Sequence, residues 1–112
     1  MPIAEDQIAE LKEIFPGVSQ SEEGGCLYYL LPNVELPEGC TPAKVDCLFC
    51  PNGRDGYSSR LYFAQPVQSR AARTFNSQVR ILDRNWVAFS WNIKATGLRL
   101  AQTVAYHLSA LK

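Results

Sequence analysis

The stretch "IAEDQIAELKEIF", residues 3–15, places Ile8, Leu11, Ile14 and Phe15 at helical spacing. Apolar positions three and four apart fall on one side of a helix, so an amphipathic helix is expected there. Glu5 and Asp6 suit its positive N-terminal end, and Pro16-Gly17 stops it. The next segment, "SQSEEGG" (19–25), reads as a polar, glycine-ended loop. A run of strand-like segments follows: "CLYYLL" (26–31), "AKVDCLFC" (43–50), "SSRLYFA" (58–64), then "QVRIL" (78–82) with "WVAFSW" (86–91). Prolines and glycines punctuate the gaps, and such short connections favour antiparallel neighbours. Leu98, Ala101, Val104, Ala105, Leu108 and Leu111 give the apolar side of a last helix over 97–111, with Thr96 as its cap.

The expected architecture is therefore α+β: helices covering one face of an antiparallel sheet. At 112 residues, with 46% hydrophobic and 20% charged positions, the chain suits one domain spanning 1–112. Eleven basic residues balance eleven acidic ones, so no bulk charge draws the protein to nucleic acid or to a membrane surface. No segment reaches the roughly 18 apolar residues that a spanning helix needs. The opening "MPIAEDQIAELKEIF" has neither the basic leader nor the long apolar run of an export signal. A cytoplasmic protein with four free thiols is the expectation.

Cys47 and Cys50 form a CxxC, with Cys26 and Cys40 upstream. A four-thiolate zinc site is arithmetically possible, but "VDCLFC" is strand-like, and alternation sends residues three apart to opposite faces. The distances along the chain to Cys40 and Cys26 match no common zinc template. A redox pair would need a helix starting at the motif, and none is readable after Cys50. The preferred reading is that these cysteines act as small apolar filling. Cys40 is the exception to watch, because "EGCTP" is a proline-flanked turn where a thiol can be exposed.

His107, the single histidine, lies in the last helix among apolar neighbours and reads as packed or surface-lying rather than catalytic. No Ser/His/Asp arrangement can be built around it. Tyr28, Tyr29, Trp86, Phe89 and Trp91 read as core and cross-strand pairs rather than a base-stacking platform. Arg54, Arg60, Arg70, Arg73, Arg80 and Arg84 cluster in the middle third, which suggests either a modest basic surface for an acidic partner or, preferably, a solvated loop. Neither a phosphate-cradling loop nor a histidine–carboxylate metal motif is present, and nothing calls for a cofactor.

Three stretches, "LPNVELPEGC", "DCLFCPNGRDGYSSRLYFAQPV" and "RNWVAFSWNI", in that order, resemble the ubiquitin-conjugating (UBC) superfold, in particular the prokaryotic UBC-like family E. Leu31-Pro32 and Leu36-Pro37-Glu38-Gly39 match its opening, and Val45 to Cys50 its leucine-rich strand. Pro51-Asn52-Gly53 with Gly56-Tyr57 matches a turn, Leu61-Tyr62-Phe63 the next strand, and Trp86, Phe89 and Ser90 a late motif. The resemblance covers about residues 26–111. It implies a UBC-like fold with an N-terminal helix, a four-stranded antiparallel meander and a C-terminal helix. It also implies work in a bacterial ubiquitin-like conjugation pathway, of a kind similar to defence-associated operons. The partners implied are a ubiquitin-like modifier, an adenylating activating enzyme and a JAB-type protease.

The departures from the family concern chemistry. A conventional member carries its nucleophilic cysteine after the strands, behind a His-Pro-Asn type segment. Residues 51–112 contain no cysteine, Thr74-Phe75-Asn76 lacks the histidine and proline, and Asn92 stands where members often have a histidine. A thioester needs a sulfur. The expectation is a UBC-like protein without the usual nucleophile, acting by binding the modifier or the activating enzyme. The alternatives are an active conjugating enzyme using a displaced cysteine, Cys40 first among them, and a small nucleic-acid-binding sheet.

Overall fold

The computed structural model describes residues 5–51, 59–71, 74–75, 77–89 and 98–111. Helix α1 (Glu5–Ile14) forms where the apolar spacing places it. Leu11 is its fully buried residue and Ile8 packs partly against the core. Ile14, expected on the same buried side, is 55% exposed.

Six strands follow: β1 (Ser19–Glu23), β2 (Cys26–Glu35), β3 (Lys44–Cys50), β4 (Arg60–Phe63), β5 (Ser77–Ile81) and β6 (Arg84–Ala88). They make one antiparallel sheet in the order β1-β2-β3-β4-β6-β5. Helix α2 (Leu100–Ser109) closes the described chain. It starts later than the expected residue 97, with Arg99 as the residue before its first turn, and Thr96 lies outside the described residues.

The UBC-like arrangement of helix, four-stranded meander and helix is overturned. The sheet has six strands and curls into a half-barrel. Two local features account for the difference. The polar segment "SQSEE" carries no apolar alternation, so it reads as a loop. Yet Gly24 and Gly25 take φ of 59° and 80°, which makes a two-residue turn and folds β1 back onto β2 with Glu23 opposite Cys26. Residues 77–88 likewise fold on themselves around Leu82 and Asp83, at φ of 52° and 61°. This second hairpin docks through β6, with Val87 opposite Phe63, so β5 becomes an edge instead of continuing the meander.

Alternation along the strands divides the apolar residues between two faces. Leu31, Cys47, Phe49 and Phe63 join Leu11 from α1 and Leu100, Ala101 and Val104 from α2 in the helix-side core. Phe63 stacks on Phe89 with centroids 5.8 Å apart, and Phe75 meets both edge-on. Tyr28, Leu48, Cys50, Tyr62, Ile81 and Trp86 form a second buried cluster on the opposite face. Cys26 and Leu30 from one hairpin and Val79 and Leu82 from the other pack around that cluster. Trp86 is fully buried there, and its indole N–H donates to the Ile81 carbonyl at 3.1 Å.

The two helices are stapled at their N-terminal ends. Arg99 Nε donates to Glu10 at 3.1 Å and its terminal nitrogen to Asp6 at 2.9 Å. The hydrogen bond and charge of Arg99 hold the Asp6 carboxyl below its usual range. Gln7 accepts the Leu100 backbone N–H at 3.1 Å, and Gln102 that of Arg99 at 2.9 Å, which satisfies donors that a helix start leaves open. Among the described residues no helix is long and apolar enough to cross a membrane.

Candidate functional site

An open groove follows from one irregularity in β2. Its register against β3 shifts between Leu31 and Val34, so Pro32 and Asn33 bulge out of the ladder. Asn33 sits at φ 52°, a conformation its short polar side chain tolerates. The Asp46 carboxylate fixes it there by accepting the Asn33 backbone N–H at 2.9 Å. The other Asp46 oxygen accepts from Arg84 at 3.3 Å, which ties the bulge through β3 to β6. Across from the bulge, α1 ends and the chain turns at Gly17, where an added Cβ would stand 3.3 Å from Pro32.

Between these parts runs a groove of about 400 Å³. Phe15, Val34 and Leu108 supply apolar wall, Ile14 stands at its lip, and Glu35 and Lys44 line it as well. Glu35 and Lys44 are cross-strand partners, so the groove carries one charge of each sign.

The groove also runs beside an open strand edge. β1 pairs with β2 only as far as Leu30, opposite Ser19. Leu36 donates its backbone N–H to Ala43 at 2.9 Å, which makes Leu36 and Ala43 a hydrogen-bonded pair. In an antiparallel ladder such pairs alternate, so Glu35, opposite Lys44, turns its own N–H and C=O away from β3. They face the side where β1 has already ended.

Cys40 lies on the turn after Leu36, as the sequence placed it, but it is buried at 9% exposure. The Arg70 side chain crosses this turn so closely that a Cβ on Gly39, at φ 93°, would lie 2.7 Å from Arg70 Nε. Burial pushes the Cys40 thiol up, and the Arg70 charge offsets only part of that. A thiol so placed is mostly protonated at neutral pH, a poor state for a nucleophile. Cys47 and Cys50 are fully buried on opposite faces of the sheet, Cys47 among the helix-side residues and Cys50 in the second cluster. Burial, then the charge of Asp46, raises Cys47 strongly. Cys26 is half-buried, and none of the four cysteines is in a disulfide.

His107 is packed, at 2% exposure, with its Nε2 2.9 Å from the Ser59 hydroxyl and its ring edge-on to Phe49. Burial, and after it the nearby Arg60 charge, lowers the imidazole to about 4, so it is neutral near pH 7. Among the described residues no carboxylate is hydrogen-bonded to the ring, so none of them supplies the third group that orients a catalytic base.

Among the described residues the arginines do not gather into one basic surface. Arg60 is buried and donates to Ser77 at 3.0 Å, Arg70 covers Cys40, and Arg84 stacks 4.6 Å over Trp86 while pairing with Asp46. Arg54, Arg73, Asn76, Ser90, Trp91 and Asn92 lie outside the described residues. Tyr28, Tyr29, Trp86 and Phe89 are buried, as expected of core aromatics.

Ile14 and the Pro32–Asn33 bulge are the positions that the sequence reading missed as site residues. A signal existed for the bulge, since a proline followed by an asparagine inside a strand-like run marks a break in the ladder. Comparison of the chain with protein-family models, with curated proteins and with solved structures gives no match.

Proposed function

We propose that this protein is a binding module for another protein, working through the groove beside Ile14. The observation that carries the reading is the exposure of Ile14, 55%, at the lip of an open groove walled by Phe15, Val34 and Leu108. A large apolar side chain left in water beside further apolar wall is a feature of docking surfaces. The occupant that fits is an extended segment of a partner that inserts one large apolar side chain and pairs with the outward-facing backbone of Glu35. Pro32, which has no N–H to offer, restricts that pairing to the Glu35 end.

A ubiquitin-like modifier or its adenylating enzyme is the partner that the motif resemblance names. With the UBC-like fold overturned, that choice rests on the quoted motifs alone. Non-catalytic action is favoured over a displaced nucleophile because Cys40 is buried and its thiol is raised.

The test is a selection of displayed peptides on the full chain, followed by NMR mapping of the binders. The reading expects apolar-anchored peptides whose binding shifts Ile14, Phe15, Glu35 and Leu108 and is lost in Ile14→Asp. Binders that ignore Ile14→Asp, or no binders at all, would overturn it. A thiol-sensitive adduct with a ubiquitin-like modifier that disappears in Cys40→Ser would establish the enzyme instead.

A further inference from the structure

Alternation along β2 separates the groove's apolar wall from its charge. Val34 and Leu36 are buried in the helix-side core, and Glu35 between them is exposed on the other face. An antiparallel strand laid on this edge places one residue directly opposite Glu35, where the two exchange backbone hydrogen bonds. The side chain of that residue shares the face of Glu35. Its neighbour along the chain points to the helix side, where Ile14, Phe15 and Leu108 stand. Because Pro32 restricts the pairing to the Glu35 end, the register has little freedom.

Two sources of negative charge meet at that position. Among the described residues no basic side chain forms a salt bridge with Glu35. Lys44 stands opposite it on β3, one strand farther from the incoming segment, so the carboxylate meets the ligand first. The helices supply the second source. Arg99 staples α2 to Asp6 and Glu10 at one end, and Phe15 and Leu108 line the groove at the other, so α1 and α2 run the same way. Ile14 ends α1 and Leu108 is the last residue but one of α2, which brings the negative ends of both helix dipoles to the groove. Pro16 has no N–H to offer the Lys12 carbonyl. Neither last turn supplies a cation to this side: the Lys12 side chain lines the crevice beside β1, and His107 is buried.

We infer, resting on the docking reading above, that the groove selects a segment with a lysine or arginine directly beside its apolar anchor. The anchor enters between Ile14, Phe15 and Leu108, and the basic side chain lies opposite Glu35. An acidic residue at that place would stand against the Glu35 carboxylate and the two helix ends together, so the charge serves to reject segments as well as to hold them.

The test is a selection of displayed random peptides on the full chain and, in parallel, on the protein carrying Glu35→Lys with Lys44→Glu. That pair of substitutions exchanges the two charges and keeps opposite signs across the strands. Peptides that bind the parent and are lost in Ile14→Asp should be enriched in Lys or Arg next to the apolar anchor. The exchanged protein should lose that preference. Replacing the basic residue of a selected peptide by norleucine should weaken binding to the parent roughly threefold, and weaken binding to Glu35→Gln by less. Ile14-dependent peptides with no basic neighbour, the same basic preference on the exchanged protein, or equal weakening on the parent and Glu35→Gln would each overturn the charge rule and leave the groove reading standing. Peptides indifferent to Ile14→Asp, or no binders at all, would overturn the groove reading and the charge rule with it.

Discussion

The Glu23 carboxylate accepts the backbone N–H of Leu82 at 3.0 Å, although 59 positions of chain separate the two residues. Glu23 belongs to β1 and Leu82 follows β5, the two edge strands of the six-stranded sheet. Their meeting brings the tip of one hairpin to the tip of the other, on the side where Cys26, Leu30, Val79 and Leu82 surround the buried Trp86 cluster. The bond also supplies an acceptor for an N–H that a two-residue turn leaves unpaired.

This link gives a pair of stability measurements. Glu23→Ala should lower the unfolding free energy by about 1 kcal/mol, read from the urea midpoint at constant m. Asp83→Gly should act in the opposite direction, raising stability by about 0.5–1 kcal/mol, because glycine meets no Cβ clash at the φ of 61° that Asp83 adopts. A destabilised Asp83→Gly protein would show that the turn is not held as described.

Acid should weaken the fold through His107. Its folded value of about 4 lies below the ordinary 6.5, so the unfolded chain takes up the proton more readily. The stability from keeping the ring neutral is complete above pH 6.5 and declines as pH falls from 6.5 towards 4. Urea midpoints measured across that window should therefore fall with pH, and the His107→Gln protein should show a visibly shallower slope. An imidazole that titrates near 6.5 in the native NMR spectrum would contradict the buried pair with Ser59.

Thiol labelling should follow burial. Iodoacetamide on the native protein should modify half-buried Cys26 first and Cys40 more slowly. Cys47 and Cys50, both fully buried, should react only after unfolding, as read by peptide mass spectrometry. Fast native labelling of Cys40 would revive the displaced-nucleophile reading.

Trp86→Phe should cost about 1–3 kcal/mol, because it leaves the buried Ile81 carbonyl without its indole donor. Ile14→Asp should stay within about 0.5 kcal/mol of the parent, since more than half of that residue is already in water. The contrast makes Ile14→Asp a clean probe of binding, as any loss it causes cannot be assigned to unfolding.

Several elements were legible in the chain because their cause is local. The 3.6-residue spacing of Ile8 and Leu11 and of Ala101, Val104, Leu108 and Leu111 is enough to define two helices with one apolar side. Period-two alternation in "VDCLFC" is likewise enough to send Cys47 and Cys50 to different faces and to set aside a shared metal. The fold that the UBC-like motifs implied was not legible in them. Short proline and glycine motifs specify turns, and the same turns fit more than one strand order.

What only the tertiary structure decided depends on where distant segments return to one another. The residues of β1 carry no hydrophobic pattern, and they are a strand because Gly24 and Gly25 bring them beside β2. β6 rather than β5 joins β4 because the Leu82–Asp83 turn reverses the chain first. Ile14 has the helical spacing of a core residue and yet faces water, because α1 ends where β2 bulges away at Pro32 and Asn33. Periodicity along a chain decides which side of an element is apolar; only the packing of the neighbours decides whether that side is covered.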